Sequence, residues 1–113
     1  MQRLADLNPA IRQRFIQRVF TPAEQAICAG SLISLVGRFA AKEAVAKALG
    51  VGIGPVAWRE IEVLSTESGQ PVLLLHGAAR SIADNLGLTS WSLSISHTQT
   101  QAVAVAVALG ANE

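Results

Sequence analysis

The sequence predicts an α+β domain in which helices from the first half pack on a small antiparallel sheet from the second. Three observations carry this expectation. Residues 9–50 hold three segments of helical period, each with a start or stop signal. Residues 91–97 and 102–109 alternate strictly and are joined by the short stretch "TQTQ". The stretch "GRFAAKEAVAKALG" at 37–50 is rich in alanine and one face of the final run is all alanine, so the two surfaces can lie close together.

The elements follow in chain order. "PAIRQRFIQRV" at 9–19 is an amphipathic helix, with Ile11, Phe15, Ile16 and Val19 on one face and Arg12, Arg14 and Arg18 elsewhere. In "FTPAEQAI" Thr21 fits an N-cap, Pro22 the first helical position and Glu24 the third, which makes a capping box. A second helix then runs from Pro22 to about Ala29, and Gly30 ends it. The third begins near Leu32 or Leu35 and reaches Leu49, with Gly50 as a natural C′ residue. "WREIEVLS" alternates, which predicts a strand over Trp58–Ser65. "TESGQP" turns the chain, "PVLLLH" reads as a second short strand, and 77–86 reads as a helix. "WSLSISH" places Ser92, Ser94 and Ser96 on one face and Leu93, Ile95 and His97 on the other. "AVAVAVAL" places Ala102, Ala104, Ala106 and Ala108 opposite Val103, Val105, Val107 and Leu109. The two runs form a hairpin. Both faces of the last strand are apolar, so both are expected to be covered, and the 38–49 helix is placed across the hairpin.

Composition limits the function classes. The 113 residues suit one domain, 1–113, without linker or repeat. Half of the chain is hydrophobic and 15% is charged, against roughly 25% in an average domain. Such a lean polar surface suggests that other subunits cover apolar area. The single Cys28 excludes an internal disulfide, reads as a small core residue and suits a reducing compartment. Arg3 and Asp6 stand where a signal peptide needs apolar residues, and no run reaches the ~18 apolar residues of a membrane span. The expectation is a cytoplasmic protein with no membrane partner. Residues 1–50 carry seven basic and three acidic side chains, a net of +4, while residues 51–113 carry a net of −3. The basic half points to an anionic partner. Three Phe, two Trp and no Tyr make nucleic acid a poor candidate for it.

Three stretches could carry chemistry. The 37–50 helix is apolar nearly all round, with Glu43 and Lys47 side by side at i, i+4. They form either a surface ion pair worth ~0.2–0.5 kcal/mol or part of a cleft holding an anion or a metal. "GVGIG" at 50–54 follows a helix instead of preceding one, so it is no phosphate loop. It is a loose connection, or a loop whose bare backbone lets a ligand approach. "SISHT" at 94–98 sets His97 at a strand end, and His76 has a weaker case.

Together these stretches are far more specific than any one alone. "RFAAKEAVAKALGVG", then "WREIEV", "GQP" and "SISHT", in that order from about Arg3 to Leu109, resemble the holo-[acyl-carrier-protein] synthases, which are 4′-phosphopantetheinyl transferases. The resemblance implies the fold of that family and transfer of phosphopantetheine from coenzyme A to a serine of an acyl carrier protein, with release of 3′,5′-ADP. It implies magnesium held by Glu43, with Lys47 near the phosphates as a clamp or as a helper in deprotonating the serine. Arg38, Lys42, Gly50, Gly52, Ser96, His97 and Thr98 match positions of the coenzyme A site. Arg3, Arg14, Phe15, Ile16 and Arg18 match a helix that docks an acidic carrier protein. Such enzymes are trimers with coenzyme A between subunits.

Family members open with a strand whose Asp is a second magnesium ligand. This chain opens "MQRLADL", which matches the stretch after that strand, and Asp6 does not inherit the role. The expectation is therefore a domain without the family's first strand. Its alternative function is that of a truncated or inactive relative that assembles or binds a carrier protein without transfer.

Overall fold

The computed structural model describes residues 4–51, 54–98 and 101–110. A 3₁₀ turn at Leu4–Asp6 leads into α1 (Pro9–Val19), α2 (Pro22–Cys28) and α3 (Leu32–Ala48). A second 3₁₀ turn at Trp58–Glu60 precedes β1 (Ile61–Ser65), β2 (Pro71–Leu75), α4 (Gly77–Asn85), β3 (Leu88–His97) and β4 (Ala102–Gly110). The expectation that the family's opening strand is missing concerns residues before Leu4 and lies outside the described residues.

The helix boundaries follow from the caps. Asn8 accepts from Ala10 N, and Thr21 and Glu24 form the capping box in full. Ser31 caps α3 through Ser34 N. Leu49 ends that helix and Gly50 follows at φ +76°.

The sheet is divided. β1 pairs with β2 and β3 with β4, both antiparallel, and the two hairpins adjoin through β2 and β3 without a shared ladder. The α+β class holds, with two small sheets in place of one. The strand expected from Trp58 begins only at Ile61. Glu60 folds back to accept from Ala57 N at 2.8 Å, and the Trp58 carbonyl is taken by a lysine, so this stretch coils instead of pairing. The other Glu60 oxygen accepts from Ala78 N at 2.8 Å and anchors the start of α4. Gly77 stands at φ +52° against that carboxylate, and a Cβ there would collide with it.

One core lies between α3, α4 and the strands, built on Val45, Leu49, Val56, Ile61, Ala79 and Ala83. The second joins α1, α2 and α3 through Ile16, Val19, Phe20, Cys28 and Leu35. Phe15, Phe39 and Trp58 form an aromatic row beside it, with ring centroids 5.7 and 4.8 Å apart. Burial pushes the Cys28 thiol above its ordinary range against the pull of Arg38.

α3 lies over the β3–β4 hairpin, chiefly over β4, as the matching alanines predict. Gly37 lets it approach, since a Cβ there would stand 3.1 Å from Ile95 Cγ2. The other face of β4 departs from expectation. Val103, Val105, Val107 and Leu109 are 49–65% exposed and form one surface with Ser90, Ser92, Ser94 and Ser96. A helix can cover only one side of a hairpin, and the alanine side has it.

The free edge of β1 is finished by side chains instead of a strand. Glu24 accepts from Val63 N at 2.8 Å, Arg38 Nε donates to Val63 O at 3.1 Å, and Lys42 Nζ donates to Ile61 O at 2.5 Å. Lys42 also donates to Trp58 O at 3.0 Å and forms an ion pair with Glu24 at 2.8 Å, both side chains being fully buried. Removing one partner of such a pair costs ~3–5 kcal/mol, because the other charge stays buried alone.

Next to this edge Glu62 accepts from Thr21 Oγ1 at 2.5 Å and lies 3.0 Å from His76 Nε2. Burial raises the Glu62 carboxyl, but the bonds from Thr21 and His76 and the charges of His76 and Lys42 together hold it below its usual range. A depressed carboxylate contributes stability above its unfolded pKa, ~4.3, and loses it as pH falls through the lower folded value. Glu62→Gln should therefore cost most stability near neutral pH and progressively less below about pH 4. Urea unfolding at a series of pH values checks this; a cost that does not vary with pH would show that the carboxylate charge is not what stabilises.

Candidate active site on helix α3

The charged residues of α3 divide into two sets. The side chains of Glu43 and Lys47 are exposed, one turn apart, and make no ion pair or hydrogen bond with each other or with any other described residue. The surface ion pair that their spacing allowed is therefore absent. Arg38 and Lys42 turn toward β1 instead.

Arg38 is half-buried. Its Nη2 donates to Ser65 Oγ at 2.6 Å, in addition to the bond to Val63 O. It borders a surface depression lined also by Ser34, Gly37, Gly69, Pro71, Ile95 and His97. Arg38 and His97, fifty-nine positions apart in sequence, thus share one concave surface. The depression carries a guanidinium and an imidazole, with glycine backbone at two points, which suits an anionic group. Gly69 and Pro71 belong to the "GQP" stretch, and Ser34 lies on the first turns of α3. Ser34, Ser65 and Ile95 were missed as site residues because nothing local marks them.

Lys42 is corrected. It was expected beside coenzyme A, yet it is 0% exposed and its three donors go to Glu24, Trp58 O and Ile61 O. Burial pushes its ammonium below the usual range, opposed by the Glu24 charge. Nothing remains of it for a ligand in this chain.

The glycine loop begins with Gly50, exposed at the end of α3; Gly52 lies outside the described residues. Ser96 is exposed beside Val103, on the opposite face of β3 from His97. Thr98 exchanges bonds with Gln101 through its backbone N, at 2.8 Å, and its Oγ1, at 3.1 Å, and closes the hairpin turn. Among the described residues no three His, Cys, Asp or Glu cluster as a metal site. Asp6 sits in the first 3₁₀ turn.

On α1, Arg14 and Arg18 are exposed and flank Phe15 in a shallow surface groove with Ile11 and Gln17. Ile16 is corrected: it is only 8% exposed and belongs to the core, because it falls on the same side of the helix as Val19. Arg3 lies outside the described residues.

The profile of the 4′-phosphopantetheinyl transferase superfamily matches residues 2–108. The chain belongs to this superfamily. It is 53% identical over 89 residues to a holo-[acyl-carrier-protein] synthase of Herpetosiphon aurantiacus, covering 73% of this chain and 70% of that one. With the synthase of Roseiflexus castenholzii it shares 51% over 87 residues, covering 72% and 64%. It thus spans about two-thirds of the length of these relatives. The Helicobacter pylori holo-[acyl-carrier-protein] synthase, solved in complex with coenzyme A, superposes with a TM-score of 0.80 at 32% identity over 89% of this chain and 86% of that one. The transferase is thus an enzyme of the holo-[acyl-carrier-protein] synthase type, with the α+β fold of that group. No helix among its described residues is long and apolar enough to cross a membrane.

The two roles now separated on α1 of this transferase predict different responses. Ile16→Ala should cost ~2–4 kcal/mol of stability, as core truncations do. Arg14→Glu with Arg18→Glu should stay within about 1 kcal/mol, as exposed substitutions do. Chemical denaturation compares them; a similar loss for both would return Ile16 to the surface role.

Proposed function

We propose that this transferase moves 4′-phosphopantetheine from coenzyme A to a serine of an acidic acyl carrier protein, with magnesium, and releases 3′,5′-ADP. The observation that carries the reading is the exposed, unpaired Glu43 and Lys47 on the helix whose other side sends Arg38 to the His97 depression. The serine oxygen forms a bond to the phosphorus attached to pantetheine. The bond from that phosphorus to the bridging oxygen of the pyrophosphate breaks, and the leaving phosphate keeps the electron pair. The serine proton passes to a base.

Magnesium takes oxygen ligands and is commonly bound by one or two carboxylates together with phosphates and waters. Glu43 fits that pattern as a single exposed carboxylate free of other partners. When bound, the ion would offset charge on the pyrophosphate and polarise it toward attack. Lys47, one turn on, offers its ammonium to the phosphate oxygens. Arg38 and His97 offer positive charge and donors to a further phosphate of coenzyme A, and Gly50 leaves room beside the end of α3.

The arrangement also supports a homotrimer. Arg38 and Glu43 are five positions apart on one helix, hence separated by roughly 140° of rotation and ~7.5 Å of rise. A ligand on one chain meets one set or the other; a ligand between two chains meets both. The open Val103–Leu109 face and the low charge content supply apolar surface for such assembly. Arg14, Arg18 and Phe15 on α1 are the docking surface for the acidic carrier.

Mass spectrometry of an apo-carrier protein incubated with coenzyme A, magnesium and this chain tests the reading. The expected result is a gain of one phosphopantetheine, from a protein of trimeric mass by light scattering. Glu43→Gln should slow the gain at least ~100-fold. No gain with the unaltered chain selects the alternative, a relative that binds carrier protein without transfer.

Arg14→Glu with Arg18→Glu should weaken carrier binding, mainly through the association rate and most at low salt, and leave coenzyme A affinity unchanged. Titration calorimetry with each ligand checks this. An equal fall in both affinities would remove α1 from the carrier-docking role.

A further inference from the structure

Lys42 and Glu43 are neighbours on α3 and point about 100° apart. One is fully buried, and the other is exposed. An ammonium has three N–H donors. Those of Lys42 meet acceptors on three different elements: Glu24 Oε1 of α2, Trp58 O of the 3₁₀ turn and Ile61 O at the start of β1. Glu24 is itself held at both oxygens, by Thr21 N at 2.9 Å and Val63 N at 2.8 Å. The lysine head is therefore fixed in three directions by groups that are themselves fixed.

Arg38, through Val63 O and Ser65 Oγ, and the buried Leu35 and Val45 also hold α3, but of these anchors Lys42 is the one immediately before Glu43 in the chain. Over the β3–β4 hairpin, Gly37 sets how close the helix comes rather than how it is turned. A side-chain tip stands ~5–6 Å from a helix axis, so a roll of roughly 20° moves it by about 2 Å. That is as long as a magnesium–oxygen bond, ~2.0–2.1 Å. A buried ion pair is also a poor way to gain stability alone, since well-packed apolar residues often do as well or better.

We propose that the Glu24–Lys42 pair is a positioning device for the Glu43 carboxylate. It sets the rotation of α3 about its axis, and through it the point at which Glu43 meets the metal. This rests on the metal reading of Glu43 given above. Lys42 is then a positioning residue and touches neither substrate nor metal.

The test compares Glu43→Gln, Lys42→Met and the double variant Glu24→Gln with Lys42→Met, which leaves no buried charge unpaired. Circular dichroism establishes folding. Manganese binding in the presence of coenzyme A, followed by electron paramagnetic resonance, reads the metal site without turnover. Steady-state kinetics read the magnesium half-saturation and the KM for coenzyme A. Lys42→Met, if folded, and the double variant should each weaken manganese binding and raise the magnesium half-saturation about tenfold or more, the usual scale for groups that orient a ligand. The KM for coenzyme A should stay within about twofold. Unchanged metal binding in a folded Lys42 variant, with Glu43→Gln weakening it, overturns the positioning role and leaves the metal reading intact. Unchanged metal binding in Glu43→Gln overturns the metal reading, and this proposal with it. Failure of both Lys42 variants to fold also overturns it, because the pair would then belong to folding itself.

Discussion

The buried contact between Glu24 and Lys42 on the free edge of β1 is the constraint around which the molecule is arranged. A strand edge presents backbone N–H and C=O groups that must find partners once buried. Here the partners are charged side chains from two helices. Glu24 takes Val63 N, Lys42 takes Ile61 O and Arg38 takes Val63 O. These bonds hold α2 and α3 against a two-stranded sheet that would be marginal alone. They also explain why charged residues occur within an otherwise apolar helix. Two of its cations complete a sheet edge, and the next two charged positions stay exposed.

Rotation around α3 therefore divides labour. Its Arg38–Lys42 side faces β1, its small side chains accept the alanines of β4, and its Glu43–Lys47 side is open. A helix with a broad polar face could not do this, because it buries only one stripe. The near absence of polar residues lets three sides be used. The result is charge displayed in two places, with the exposed carboxylate and lysine on one side and the arginine with His97 on another. The open valine face of β4 belongs to the same economy of charge.

The caps, the helices and the hairpin were legible in the sequence, because each is set by neighbours within a few residues. The Thr21–Glu24 box, the limits of the first helix at 9–19 and the alternation of β3 and β4 are of this kind. The start of β1 was not legible. Trp58–Glu60 alternates like a strand, yet a lysine sixteen residues away and the back-folded Glu60 take its backbone groups. The role of Lys42 was misread for a related reason. It lies within a stretch that carries the family resemblance, and a stretch gives residue order, not the direction in which each side chain points. Ile16 was legible from its helical face, shared with Val19, and was misassigned only by the resemblance.

By itself the sequence determined the fold class, the family and the residue types available for the chemistry, since these depend on local period, composition and motif order. Tertiary structure alone decided which of four charges on one helix are spent inside and which are offered outward. Glu43 and Lys42 are adjacent in the chain and equally charged in magnitude. Only the position of Glu24 and of the carbonyls of Trp58 and Ile61 makes one of them part of the core and leaves the other exposed. That choice depends on contacts across sixteen to nineteen residues and between separate elements, where no periodicity reaches.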